Sequence, residues 1–233
     1  MARKTVVVLT GAGISAESGI STFRDANGLW ENHRIEDVAS PTGFAKNPEL
    51  VLHFYNLRRA QLDEVEPNEG HRALVRLEEK YDVHIVTQNV DNLHERAGSK
   101  NVLHLHGELT KARSTLYPEL IYDIGTNPIR LGDVCERGAQ LRPHIVWFGE
   151  EVPAMREACL LAERADYFLI VGTSLMVYPA AGLYEYAPER CPIYLVDKNV
   201  PSIPRRYMSR LRVYAEPATV GVPKVVDELL ALD

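Results

Sequence analysis

Seven short apolar runs, rich in β-branched residues, recur along the chain and alternate with stretches of helical spacing. The runs predict strands over residues 5–10, 83–87, 101–105, 144–148, 167–172, 193–196 and 212–215. The intervening patterns predict helices over 48–65, 71–80, 154–164, 180–187 and 224–232. Asn47 is a good N-cap residue, and Pro48 suits the first helical position, where no N–H is needed. Strands alternating with helices imply an α/β fold, Rossmann-like, with a parallel sheet and helices on both faces. The rhythm breaks over 108–141, where Pro118, Gly125, Asn127-Pro128, Gly132 and Gly138 interrupt any period. That segment reads as a small inserted lobe, joined by a second insertion at about 25–44. A larger lobe then takes about 1–24, 45–107 and 142–233, the whole making one domain over 1–233.

With 233 residues, 45% hydrophobic and 25% charged, the chain has the means to bury a substantial core. A net charge of −6 argues against a nucleic-acid partner. No apolar run approaches the ~20 residues that span a bilayer, and the start of the chain lacks a signal-peptide pattern. The expectation is therefore a cytoplasmic protein with no membrane association, and a monomer. Cys135, Cys159 and Cys191 are odd in number and widely spaced, so no disulfide framework is implied.

The first predicted strand runs into Gly11, Gly13 and Ala16, which satisfy the G-x-G-x-x-G/A turn of dinucleotide-binding units. A hydride-transferring enzyme carries an acidic residue about 20 residues further on, at the end of a second strand. Here residues 21–30 do not read as a strand, and Asp25 falls in a loop. Three further polar segments end predicted strands: Thr87-Gln88-Asn89-Val90-Asp91-Asn92-Leu93-His94, His104-Leu105-His106-Gly107 and Gly172-Thr173-Ser174-Leu175. All three belong at the carboxyl edge of the sheet, where ligands of open α/β folds bind.

Taken together and in order, GAGIS, SGISTFR, GLW, TQNVDNLH, HG, LRPHIVWFGE and GTSLMVYP resemble the sirtuins, NAD-dependent protein-lysine deacylases. The resemblance covers residues 11–179, and Leu195-Val196-Asp197-Lys198-Asn199 extends it. It implies that NAD is consumed: the nicotinamide–ribose bond breaks, the acyl-lysine oxygen attacks the ribose, and the acyl group leaves on ADP-ribose. Acylated-lysine proteins are then the substrates. By motif, His106 is the base, a residue type that titrates near neutrality, with Asn89 and Asp91 as catalytic partners. NAD contacts fall to Gly11, Ala12, Gly13, Ser15, Phe23, Arg24, Gln88, Asn89, Asp91, Gly172, Thr173, Ser174 and Asn199, with the Phe23 loop as a lid. The glycines would bring backbone N–H groups to the diphosphate. Val146, Phe148, Gly149 and Glu150 are expected to bind the substrate peptide by strand addition. His104 reads as an ordinary hydrogen-bonded histidine without a catalytic role.

Tyr55 and Arg58 lie three apart on a predicted helix and so share a face, which Arg59 does not. This Y-x-x-R pair resembles the desuccinylase and demalonylase subgroup, where the two side chains hold the distal carboxylate of the acyl group. A planar guanidinium suits that carboxylate. The family's two Cys-x-x-Cys pairs are missing, since only Cys135 falls in the inserted segment. No structural zinc is expected, and Leu116, Tyr117, Leu120, Ile121 and Tyr122 are expected to pack the lobe instead. A plain deacetylase, a mono-ADP-ribosyltransferase using the same NAD site, and a non-catalytic NAD or ADP-ribose sensor remain alternatives.

Overall fold

The computed structural model describes residues 3–21, 29–30 and 32–232. The chain begins with β1 (Thr5–Thr10), followed by a hairpin of β2 (Leu29–Trp30) and β3 (His33–Arg34). Then come α1 (Ile35–Val38), α2 (Pro41–Lys46), α3 (Pro48–Gln61), α4 (Glu69–Leu77), β4 (Asp82–Thr87), α5 (Leu93–Ala97) and β5 (Val102–His104). Next are β6 (Gly107–Ser114), β7 (Ile121–Asp123), β8 (Leu141–Ile145), α6 (Met155–Ala162) and β9 (Tyr167–Val171). The chain closes with β10 (Ile193–Val196), β11 (Leu211–Tyr214) and α7 (Ala218–Ala231).

Six strands form a parallel sheet in the order β11-β10-β9-β1-β4-β5. The central strands are apolar throughout because both their faces are covered. Val6 and Val8 of β1 face α4 and α7, packing with Leu74, Leu77, Val222 and Val226. Val7 and Leu9 face the other way, onto Ala158 and Leu161 of α6 and onto Leu183. The alternation of side chains along a strand thus splits one sequence run between two cores.

Helix starts follow local chemistry. Asn47 Oδ1 accepts from Leu50 N at 3.1 Å, with Pro48 as first residue of α3. Asn68 caps α4 and receives the reciprocal contact of a capping box, its N–H donating to His71 Nδ1 at 3.2 Å. The helix expected over 48–65 stops at Gln61, because the next turn tightens to i→i+3 bonds. Residues 180–186 form a 3₁₀ helix. The last helix starts at Ala218, not at residue 224, since the burial of Val222, Val225 and Val226 outweighs the N–H lost at Pro223.

The strand expected over 144–148 is instead β8, ending at Ile145. It belongs to an antiparallel sheet, β7-β6-β8, that occupies the aperiodic segment. After Ile145 the chain turns: Gly149 takes φ +90°, and the Glu150 carboxylate accepts Trp147 N at 2.8 Å. The expected lobe packing also needs correcting. Leu116, in the bend after β6, and Ile121, on the short edge strand β7, are both exposed. Ala112, Ile129 and Leu52 of α3 form the small core instead. Asn56 of α3 holds the lobe by donating to Ile129 O at 2.8 Å and accepting from Ile129 N at 2.9 Å. Among the described residues no helix is long and apolar enough to cross a membrane.

The turn after β1 lies against the turn after β9. Gly11 N donates to Val171 O at 3.0 Å and Gly13 N to Gly172 O at 2.8 Å. A Cβ on Gly13 would sit 2.6 Å from Gly172 Cα, and one on Gly11 would sit 2.7 Å from Gly172 O. Gly13→Ala is therefore expected to lower stability by about 1–3 kcal/mol in denaturant unfolding. Gly182→Ala, whose Cβ would first meet an atom at 3.7 Å, is expected to stay within about 0.5 kcal/mol of the parent.

Candidate active site

From β1 the chain crosses to β4 and β5 on one side, then returns to β9, β10 and β11 on the other, so the winding reverses between β1 and β9. A crevice opens at the carboxyl ends of strands at such a switch point. The chain has a cleft there of about 630 Å³, within the range of about 300–1,000 Å³ usual for small-molecule sites. It is lined by Gly11, Ala12, Gly13, Ser15, Gln88, Asn89, Asp91, His106, Gly172, Thr173, Ser174 and Asn199. Tyr55, Arg58, Val146, Phe148, Gly149 and Glu150 line it as well. Each described residue that the sequence assigned to catalysis or binding is therefore at one site; Phe23 and Arg24 fall outside the described residues.

The glycines act differently from the expectation. The N–H groups of Gly11 and Gly13 are bonded to Val171 and Gly172 carbonyls, so they are not donors to a diphosphate. Their smallness instead brings two turns together at the floor of the cleft. Asn199 N and Asp197 Oδ1, 2.7 Å apart, form the turn beyond β10.

Beneath the cleft runs a buried polar network that the sequence reading missed in part. Ser15 Oγ donates to Asp91 Oδ2 at 3.0 Å and accepts from Asn89 Nδ2 at 3.2 Å. Asn89 Nδ2 also lies 3.1 Å from Gly11 O. His71 Nε2 is 3.4 Å from Ser15 Oγ. Since His71 Nδ1 accepts the Asn68 N–H, the ring proton sits on Nε2 and faces the serine. Burial pushes His71 down to about 4, which keeps it neutral. The signal for it was the Asn68-to-His71 spacing, which matched a helix cap and gave no hint of the cleft. Burial raises Asp91 despite hydrogen bonds from Leu93 N and Ser15. Gln88 Nε2 donates to Thr173 Oγ1 at 3.0 Å, linking the turn after β4 to that after β9.

His106 follows β5, and its Nδ1 lies 3.0 Å from Gln88 O. A carbonyl only accepts, so Nδ1 carries the proton and Nε2 is the basic atom of the ring. Burial lowers its pKa below the ordinary value, with the Gln88 bond opposing.

The opposite wall is stiffened by charge. Glu150 accepts from Arg142 Nη1 at 2.6 Å, Arg113 Nη2 at 3.1 Å and Trp147 N at 2.8 Å. Its carboxylate therefore shapes the wall and is not open to a peptide backbone. Val146 N and Phe148 N are likewise bonded, to His106 O at 2.9 Å and Ala39 O at 3.0 Å. Trp147 is buried, while Phe148 is exposed at the rim.

Tyr55 and Arg58 are buried at the end of the cleft formed by α3. The guanidinium of Arg58 lies 4.3 Å from the centre of the Trp30 ring. Tyr55 Oη accepts from Trp147 Nε1 at 3.0 Å. Burial raises the Tyr55 pKa, so the phenol keeps its proton. Arg59 turns away, donating to Leu109 O at 2.5 Å and to Asn56 Oδ1 at 2.7 Å.

A doubly wound parallel sheet, with a cleft at its switch point and a neutral histidine at the strand ends, defines a dinucleotide-using α/β enzyme. Residues 11–179 match the model of the Sir2 family, and the chain belongs to that family. An NAD-dependent protein deacylase of Helicobacter pylori is 58% identical over 194 residues, covering 83% of this chain and 82% of its own. One of Vibrio parahaemolyticus is 50% identical over 238 residues, covering 99% and 97%. A crystal structure of a Sir2 homologue–NAD complex superposes with a TM-score of 0.86 at 37% identity, covering 98% of this chain and 90% of the other. A Sir2 mutant solved with a p53 peptide and NAD gives 0.76 at 29%, covering 99% and 95%.

Because desolvation dominates at His106, its ring proton signals in an NMR titration are expected to show a midpoint below the ordinary 6.5. A midpoint at or above that value would mean that water or a carboxylate governs the ring.

Proposed function

We propose that this sirtuin, an NAD-dependent protein deacylase, removes succinyl and malonyl groups from lysine in preference to acetyl. The observation carrying this reading is that Tyr55 and Arg58, both buried, line the same cleft as His106. A guanidinium and a protonated phenol are paired donors for a carboxylate. The Trp147 N–H already occupies the acceptor side of the Tyr55 hydroxyl, which favours donation of its proton to a ligand. An acetyl group offers nothing to either donor, and a site built to hydrogen-bond an anion discriminates against an analogue without it.

Bound NAD supplies an electrophilic ribose carbon and ribose hydroxyls to accept the acyl group as nicotinamide departs. The glycine seam, the Ser15–Asn89–Asp91 network and the volume of the cleft suit such a ligand. His106 Nε2 serves as base toward a ribose hydroxyl, held in one tautomer by Gln88 O. Ser15 fixes the side chains of Asn89 and Asp91, which orient the nicotinamide ribose. Phe148 and Gly149 at the rim receive the peptide that carries the acyl-lysine, while Glu150 holds their wall in place. The small sheet serves this wall without a structural zinc, through Asn56, Ile129 and Ala112.

Incubation with NAD and matched acetyl-, succinyl- and malonyl-lysine peptides, followed by mass spectrometry, tests the reading. Nicotinamide and acyl-ADP-ribose are the expected products, fastest with the acidic acyl groups; equal turnover of the acetyl peptide would sink the preference. Arg58→Met is expected to lower kcat/KM for the succinyl peptide about 10- to 100-fold, mainly through KM. That corresponds to losing hydrogen bonds to a charged group worth about 1.5–3 kcal/mol. His106→Ala is expected to lower kcat by about 10²–10⁴-fold. The neutral ring is the active form and its pKa is lowered, so activity falls as pH drops through a value below 6.5. An acid limb centred above 6.5 would contradict the assignment.

A further inference from the structure

Two histidines flank Leu105, and both reach the loop after β4. His104 Nδ1 lies 3.0 Å from Asn89 O, and His106 Nδ1 lies 3.0 Å from Gln88 O. Leu109 N donates to Val90 O at 2.8 Å. Three consecutive carbonyls of the loop that carries Asn89 and Asp91 are thus held from one segment. The two rings differ at Nε2. That of His104 lies 2.7 Å from Glu95 Oε1 of α5. Both partners of His104, a carbonyl and a carboxylate, only accept, so both ring nitrogens must carry protons.

We propose that His104 is a positioning residue: an imidazolium, held between Glu95 and Asn89 O, that fixes the loop presenting Asn89 and Asp91 to the cleft. A charge-assisted bond is stronger than a neutral one, and the His104 side chain is only 7% exposed. The assignment rests on the deacylase reading for its catalytic consequence, but not for the ion pair itself.

The surroundings agree in sign. Burial works to lower His104, but the hydrogen bond and charge of Glu95 override it, with Glu108 adding to them, so the ring titrates above its ordinary value. Glu95 is opposed by burial yet pulled down by His104. Glu108 of β6 is paired with Lys111 at 2.6 Å. The Asp91 carboxyl feels the His104 charge, and His94 on α5 is kept neutral by burial. The positioning contact is therefore complete between the lowered Glu95 value and the raised His104 value, and is lost as pH rises through the latter. Its loss gives the kcat profile an alkaline limb, while protonation of His106 sets the acid limb.

The test pairs an NMR titration of the His104 ring in ligand-free protein with kcat profiles of the parent, Glu95→Gln and His104→Phe. The parent ring is expected to titrate above 6.5, and Glu95→Gln to move both that midpoint and the alkaline limb of kcat to lower pH. His104→Phe is expected to lower kcat about 10-fold or more, with KM for the acyl peptide changed less than about twofold. A His104 ring titrating at or below its ordinary value overturns the proposal. So does an alkaline limb that stays in place in Glu95→Gln. If the parent turns over no acyl-lysine peptide, the deacylase reading fails, and the substrate-free titration still decides the ion pair.

Discussion

The site depends on one close approach of backbone to backbone. Gly11 and Gly13 lie so near Gly172 that no side chain fits between them, and two N–H···O bonds lock the turns together. That contact joins the ends of β1 and β9, the two strands between which the sheet changes direction. The floor of the cleft is the seam itself. Gln88, bonded to Thr173, extends the seam to β4, so three strand ends present their side chains in one fixed relation.

On this floor the polar groups are ordered by donor and acceptor capacity. Ser15 can donate only once, and it donates to Asp91 because Asn89 and His71 occupy its acceptor side. The loop backbone is held from the opposite direction, through the carbonyls of Gln88, Asn89 and Val90. Side chains and main chain of one short loop are thus constrained by different elements, which limits the conformations open to it.

Much of this was legible in the sequence, because the informative groups sit at strand ends and their neighbours follow immediately. The glycine turn, the segment from Thr87 to His94 and the His106-Gly107 pair were all placed at the correct edge. The Y-x-x-R spacing pointed to Arg58, which lines the cleft, rather than to Arg59, which anchors β6. What escaped depends on long-range partners. The sheet between residues 107 and 145 lacks a period because its register is fixed partly by Asn56 on α3. β8 stops early because Glu150 folds back under two arginines. The packing of the glycine turn is invisible in its local sequence because the carbonyls it bonds come from residues 171 and 172.

The hydrogen bond from Trp147 to Tyr55 joins the α3 end of the cleft, where the proposed acyl site lies, to the wall proposed to meet the peptide. The indole also lies under the Arg142 guanidinium, 3.4 Å away, and its backbone is pinned by Glu150. A bulkier acyl chain that pushed on Tyr55 would strain the rim around Phe148. On the proposed function, tolerance for acyl size and tolerance for flanking sequence are therefore mechanically linked through this one indole.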